Sequence, residues 1–150
     1  MGLKETLNND IKSAMRAKDQ ARLRTLRAIK SAIMLTETAE GRNGEPLTEE
    51  EDLKLLTKQA KQRRDSRDQY LANGREDLAA TESEELAVIE GYLPKALSEE
   101  EVEGIVQEII AATGANSMKD MGKVMGQATK RMAGQADGKL ISTLVRKHLA

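Results

Sequence analysis

The sequence contains no cysteine, tryptophan or phenylalanine, and only two tyrosines, two prolines and one histidine among its 150 residues. The lack of cysteine excludes disulfides, thiolate zinc sites and cysteine nucleophiles. Because aromatic residues make up only 1% of the chain, its core must consist of Leu, Ile, Val, Met and Ala. Alternating runs of β-branched and aromatic residues are also missing, so we predict an all-α protein without strands.

The chain also lacks a strong net charge and any long apolar run. Its formal charge of -1 means that a nucleic-acid contact would need a local patch of positive charge. Charged residues begin at Lys4, and no stretch has the length of a signal peptide or a membrane span. We therefore expect a cytoplasmic protein that does not bind a membrane. The lone His148 cannot build a metal site, so it is interpreted as structural, and we expect no metal or cofactor.

Helical periodicity is the main signal that is present. Leu3, Leu7, Ile11 and Met15 recur every four residues, as on one face of a helix. Thr48 with Glu51, and Ser98 with Glu101, have the spacing of capping boxes. The helix that follows Thr48 should end near residues 73–74, which would make it about 36 Å long. Ser117 is predicted to cap a later helix with an apolar stripe, formed by Met118, Met121, Met125, Ala128 and Met132.

A domain boundary is predicted at residues 91–94, where Gly91 and Pro94 both interrupt helix. Residues 1–93 would form an N-terminal helical domain, built as a hairpin or bundle of long helices. Residues 94–150 would form a small C-terminal three-helix bundle.

The first candidate site is the basic run from Arg16 to Lys30, which holds six Lys or Arg residues and one acid, Asp19. Such a run could meet phosphates, or it could be a solvated helix face paired with acids of a neighbouring helix. Its candidate partner-binding residues are Arg22, Arg24 and Arg27.

The second candidate lies in the middle of the long helix. The apolar stripe of Leu53, Leu56 and Ala60 continues onto Arg64 and Arg67, where the pattern calls for core residues. These arginines could lay their stems on a neighbouring helix and reach carboxylates, or they could line a polar groove that receives a partner. The candidate partner-binding residues here are Lys61, Arg63, Arg64 and Arg67.

The third candidate is the C-terminal end of the chain, where residues 115–150 hold seven Lys or Arg against two acids. A positive face of this kind would suit an RNA backbone. Gly122 and Gly126 leave one helix face bare, which permits tight helix packing or the approach of a ligand backbone. The predicted nucleic-acid-binding residues are Lys119, Lys123, Lys130, Arg131, Lys139, Arg146 and Lys147.

Motifs of known enzymes are missing. The sequence has no Walker loop, dinucleotide fingerprint, metalloprotease motif or nucleophile elbow. The acidic block of residues 49–52 is explained by the favourable position of negative charge at a helix N-terminus. We predict a chain without catalytic residues or intrinsic activity.

Five segments, in the same order, resemble the YqeY family of small bacterial proteins, and the resemblance covers essentially the whole chain. It implies long N-terminal helices followed by a small three-helix domain. The segments are residues 22–30, 61–66, 91–94, 118–126 and 136–140.

The C-terminal part is also similar to the tail of the B subunit of the glutamine-dependent tRNA amidotransferase, a carbon-nitrogen ligase. The match rests on Gly122, Lys123, Gly126 and Lys130, with Gly134 and Ala136 as further matching positions. Asp137-Gly138 stands where that tail more often has Asn-Pro, and the catalytic core of the B subunit has no counterpart here.

In the amidotransferase the tail contacts the body of the tRNA. The resemblance therefore implies that this protein binds tRNA or a tRNA-handling enzyme through its C-terminal part. Two alternatives remain: a protein-interaction adaptor that uses the long helix, and an accessory factor of the amidotransferase.

Overall fold

The computed structural model describes residues 2–150 and confirms the all-α prediction for this part of the chain. It contains seven α-helices, one 3₁₀ turn and no strand. The helices are α1 (Leu3–Ala17), α2 (Gln20–Glu37), α3 (Glu49–Ala72), α4 (Glu76–Glu90), α5 (Glu99–Thr113), α6 (Met121–Arg131) and α7 (Gly138–Leu149).

The helices belong to two compact units, of which the first ends at Leu93 and the second spans Pro94–Ala150. Their buried apolar clusters share no residue. That each unit is an independently folding domain stays a prediction.

Helix ends in the first unit follow local sequence signals. Lys18 adopts a left-handed conformation with φ of 56° and ends α1. Asp19 then caps α2, because its side chain accepts a hydrogen bond from the backbone N–H of Arg22 at 3.1 Å. The predicted capping box of Thr48 and Glu51 is confirmed at the start of α3. These caps satisfy backbone N–H groups that have no partner inside the helix.

The core of the first unit is entirely aliphatic, and α1, α2, α3 and α4 all contribute to it. In α3 only Leu56 and Ala60 are buried, so no residue of the helix after Ala60 is buried. The helix packs mainly on α4, and its C-terminal half adds little to the core. The buried cluster consists of Leu7, Ala14, Leu23, Leu26, Ile29, Ile33, Leu56, Ala60, Leu86 and Ile89.

The second unit is a three-helix bundle around a second aliphatic core. The predicted capping box of Ser98 and Glu101 opens α5, and Gly114 ends this helix with φ of 69°. The backbone N–H of Leu97 donates to the carbonyl of Gln135 at 2.8 Å, which joins the start of α5 to the α6–α7 connection. The core residues are Val102, Val106, Ile109, Val124, Ala128, Met132, Ile141, Leu144, Val145 and Leu149.

Two sequence predictions for the start of α6 are wrong. Ser117 makes no side-chain capping bond, because a 3₁₀ turn at Met118–Asp120 comes before the helix. The carboxylate of Asp120 instead accepts a hydrogen bond from the backbone N–H of Asn116. Met118 is 46% exposed and does not belong to the core, since a 3₁₀ turn rotates side chains off the stripe that the α-helix sets.

Candidate nucleic-acid interface

All seven predicted cations of the second unit are exposed. Two of them pair with acids on α5: Arg131 with Glu108 at 2.6 Å and Lys147 with Glu103 at 3.0 Å. The remaining five make no ion pair with any of residues 2–150. These five unpaired cations are Lys119, Lys123, Lys130, Lys139 and Arg146.

The cations of α6 lie on one face of the helix. Lys123 and Lys130 are seven residues apart, which is close to two helical turns and about 10.5 Å along the axis. The buried residues Val124, Ala128 and Met132 occupy the other side. Because burial fixes the rotation of the helix, Lys123 and Lys130 must face solvent.

Gly122 and Gly126 lie beside these lysines and are not packed against another helix. A methyl group added at either glycine would meet no atom within 4 Å among the described residues. Packing inside the unit therefore does not explain this glycine pair. The result is an open strip of helix backbone next to Lys123 and Lys130, which a ligand backbone could approach closely.

On α7 the same geometry recurs. Lys139 and Arg146 are seven residues apart, while Ile141, Leu144 and Val145 are buried in the core. A short connection joins α6 to α7, and the two helices are in contact. Four of the five unpaired cations thus lie as one pair on each of two helices in contact, while Lys119 lies in the 3₁₀ turn before α6. Their convergence on a common RNA-binding face stays a prediction.

Glutamates of α5 bind part of the predicted cationic set. Hydrogen bonds from Lys147 and His148 lower the pKa of Glu103 below its ordinary value. His148 is half-buried, with Nε2 2.8 Å from the Glu103 carboxylate, in agreement with the structural role that we gave it. The sequence did not reveal these contacts, because Glu103 and Lys147 are 44 residues apart.

In the first unit, three of the candidate arginines pair with acids of neighbouring helices. Arg22 Nη2 lies 3.8 Å from the carboxylate of Asp10, and Arg24 Nε lies 3.4 Å from Glu85. Arg63 contacts Glu85 as well, at 3.0 Å. For Arg22 and Arg24 these contacts match the paired helix face that was considered for the basic run.

The other candidates of the first unit behave differently. Arg67 binds Asp68, its neighbour in sequence, at 3.1 Å. Arg64 is half-buried, and it makes no ion pair with the part of the chain that the structure describes. Arg27 and Lys61 are exposed, and they also make no ion pair with the described residues.

The pairs around Arg63 form a network that connects α2, α3 and α4. Arg63 Nη1 donates to Glu85 at 3.0 Å and lies equally close to Glu82 Oε2. The approach to Glu82 is a charge contact without hydrogen-bond geometry, so this buried oxygen accepts no hydrogen bond from residues 2–150. A polar cavity of about 150 Å³ lies beside the network, lined by Thr25, Ala28, Gln59, Gln62, Arg63, Glu85 and Ile89.

A second polar contact joins α1 to the segment that follows α4. The hydroxyl of Tyr92 donates a hydrogen bond to the carboxylate of Asp10, and Arg22 lies beside the pair. Burial and the hydrogen bond to Asp10 raise the pKa of Tyr92 to about 12. An open cleft of about 760 Å³ lies above this contact, with Ala87 and Val88 in its wall. The cleft was missed by sequence reasoning, since its residues come from three separate helices.

No group of three or more His, Cys, Asp or Glu residues in the described part of the chain could hold a metal ion. Within the same residues, no helix combines the length and apolar character needed to cross a bilayer.

Fold and surface together define an all-helical protein of two compact units, each with exposed cations. The chain belongs to the YqeY family, because the family model described as "Yqey-like protein" matches residues 4–149. The resemblance found in the sequence is thereby confirmed.

Two kinds of individual relative show the similarity. The first is the E-type polypeptide of the glutamyl-tRNA(Gln) amidotransferase of Thermococcus gammatolerans. It is 49% identical over 57 residues, which are 35% of this chain and 9% of that relative. The matched segment is therefore about a tenth of the relative's length.

The second group consists of proteins named altered inheritance of mitochondria protein 41, mitochondrial. The protein of Pyrenophora tritici-repentis is 28% identical, with 94% of this chain and 77% of the relative aligned. The protein of Saccharomyces cerevisiae is 32% identical, with 81% of this chain and 67% of the relative aligned.

Proposed function

We propose that the second unit binds tRNA through the phosphate backbone and that the chain itself performs no catalysis. The unpaired cations on α6 and α7 supply the contact. Arg131 and Lys147, which pair with α5 glutamates, contribute less, because part of their charge is already compensated.

The observation that carries this proposal is the solvent face of α6. Lys123 and Lys130 stand on it without an acidic partner among residues 2–150, beside the open backbone of Gly122 and Gly126. A phosphate chain needs positive charge and room for close approach, and this face offers both. Because the second unit contains no Phe, Tyr or Trp and His148 is engaged with Glu103, stacking on bases is not part of the proposed contact.

The similarity to an amidotransferase component supports the same proposal. That relative is named for a reaction on glutamyl-tRNA(Gln). A shared segment in a protein that handles tRNA favours an RNA surface over an unrelated use of the bundle. A contact with a tRNA-handling enzyme is the second form of this proposal, and amidotransfer by this chain is not proposed.

A salt titration tests the proposal directly. The affinity of the full chain for unfractionated tRNA is measured by fluorescence anisotropy from low to moderate salt. We expect the logarithm of the affinity to fall linearly with the logarithm of the salt concentration, since bound phosphates release counterions. Absence of binding at low salt, or an affinity independent of salt, contradicts backbone recognition.

A paired variant locates the contact. Lys123→Gln together with Lys130→Gln should reduce the steepness of the salt dependence by about 2, since each phosphate contact contributes about 1. Circular dichroism checks that helicity is unchanged. Lys54→Gln with Lys58→Gln, two exposed lysines on α3, is the charge-matched control and should leave the slope as in the unaltered chain.

Binding to an enzyme instead of tRNA would give a different pattern. A tRNA-handling enzyme that co-purifies with the chain, and stays bound after nuclease treatment, would favour the protein contact. Loss of all partners after nuclease treatment would favour tRNA.

A further inference from the structure

The α1–α2 hairpin holds more positive charge than its surroundings neutralise. Between Lys4 and Glu37 it has eight Lys or Arg residues and four Asp or Glu. Three of these acids are already engaged. Glu37 binds Lys4 at 2.9 Å, Asp10 accepts the hydroxyl of Tyr92, and Asp19 caps α2.

The acid of α4 that contacts the hairpin is engaged as well. Glu85 of α4 binds both Arg24 and Arg63. Five cations of the hairpin are left without an ion pair to any described residue; four of them are exposed and the fifth, Lys30, is half-buried. We call these the hairpin cations: Lys12, Arg16, Lys18, Arg27 and Lys30.

The hairpin cations are spaced along both helices. Lys12 and Arg16 are one turn apart on α1, Arg27 and Lys30 are one turn apart on α2, and Lys18 lies in the turn between the helices. Side chains three or four residues apart on a helix are neighbours, about 5–6 Å apart at Cβ. Like charges at this distance repel each other, and a polyanion that binds across them relieves the repulsion.

We infer that the hairpin cations form a second contact for the nucleic acid that the second unit binds. This inference rests on the proposed function. Two linked contacts on one RNA raise the affinity beyond that of either alone, since the second forms at high effective concentration.

An anionic membrane is less suited to this surface than RNA. A helix that lies on a membrane inserts an apolar face, but the apolar residues Leu7 and Ala14 of α1 are buried in the core. Met15 is the one large apolar side chain exposed beside Lys12 and Arg16, at 53%. Met34 and Leu35 are exposed as well, but they lie near the other end of the hairpin, where Lys4 binds Glu37. The exposed apolar side chains therefore do not line up with the hairpin cations as one face, and this arrangement favours contact with the phosphates of a hydrated polymer.

Salt-dependent binding of unfractionated tRNA by full-length variants tests the inference. Lys12→Gln with Arg16→Gln should reduce the slope of log affinity against log salt by about 2. Lys54→Gln with Lys58→Gln is the matched control, because these lysines are also exposed and one turn apart, and it should leave the slope unchanged. A second variant, Lys18→Gln with Arg27→Gln, should repeat the effect of the first.

Each outcome separates this inference from the proposed function. If both hairpin variants match the control while Lys123→Gln with Lys130→Gln lowers the slope, the hairpin contact is wrong and the proposed function stands. If the unaltered chain binds no tRNA at low salt, both fail. If the hairpin variants keep the tRNA slope but lose binding to vesicles containing phosphatidylserine, the hairpin faces a membrane and the inference is overturned.

Discussion

Single residues on α6 separate stability from binding. Gly126 lies inside a helix, where glycine is less favourable than alanine by roughly 0.5–1 kcal/mol. No neighbouring atom would meet a methyl group there. The fold therefore gives no steric reason for glycine at this position, and close approach by a ligand would give one.

We predict that Gly126→Ala stabilises the chain by about 0.5–1 kcal/mol and weakens tRNA binding several-fold. Urea unfolding followed by circular dichroism measures the first effect, and anisotropy the second. Gly104→Ala on α5 is the control, because a methyl group also meets open space there. Gly104→Ala should stabilise the fold without changing the affinity for tRNA. Equal affinities of the two variants would remove the glycine face from the interface.

Tyr92 provides a prediction about stability and pH. Tyr92→Phe removes the hydrogen bond to Asp10 and should destabilise the first unit by about 1–2 kcal/mol near neutral pH. The folded pKa of Tyr92 is raised from 10 to about 12, so its contribution is fully present below pH 10 and is lost as the pH rises towards 12. The difference between Tyr92→Phe and the unaltered chain in urea unfolding should therefore shrink across this range. Tyr70→Phe is the control, and a similar loss there would point to a general effect of removing a hydroxyl.

At the scale of elements, the sequence predicted what is local. Thr48 and Ser98 cap their helices because the bonding partner is three residues away in each case. The predicted cap at Ser117 is wrong because a 3₁₀ turn comes before α6 and the backbone N–H of Asn116 donates to Asp120. The contact between Tyr92 and Asp10 joins residues 82 positions apart, so no spacing rule could indicate it.

The candidate site was predictable to the same extent. The positive charge of the last helices indicated seven cations, and all of them are exposed, but the apolar stripe predicted from helical spacing omitted the buried Val124 and included the exposed Met118. Spacing could not show that Arg131 and Lys147 have partners on α5. Ion pairs between helices depend on how the helices pack against each other, and the periodicity of one helix carries no information about that packing.

The start of α3 gives a prediction at this scale. Glu51 closes the capping box and also binds Arg42, whose Nη2 donates to it at 2.9 Å. This bond from Arg42, followed by the backbone bond from Thr48, lowers the pKa of Glu51 to about 2. The resulting stabilisation is present above pH 4.5 and is lost as the pH falls towards 2.

We therefore expect Glu51→Gln to lower the urea midpoint at pH 7 and to have a smaller effect at pH 3. Circular dichroism at the two pH values measures the difference. Glu50→Gln, in the same first turn but outside the capping box, should shift the midpoint little at either pH. A loss at pH 3 as large as that at pH 7 would show that Glu51 acts through its shape and not its charge.

At the scale of the whole molecule, the charge of -1 conceals an uneven distribution. Acids are concentrated in the first turns of α3 and α5, where they favour the helix N-termini. Cations without an ion pair among the described residues lie on the α1–α2 hairpin, on α6 and α7, and along α3 after its acidic first turn. A protein with this pattern can bind a polyanion locally without a strong overall field, which limits contact with unrelated polyanions.

The division into two units leads to the last prediction, that Pro94–Ala150 folds and binds tRNA alone. Its core is its own, and Leu97 and Gln135 close the bundle within the unit. Chains below about 70–80 residues rarely gain more than 3–5 kcal/mol from one core, so we expect a helical fragment of low stability. Circular dichroism and urea unfolding measure the helicity and stability of the fragment. The slope of log affinity for tRNA against log salt should be smaller than that of the full chain, because the hairpin cations are missing.

A fragment that is unfolded in buffer would show that the second unit depends on the first unit and is not a domain. A folded fragment with the slope of the full chain would place the whole contact on α6 and α7.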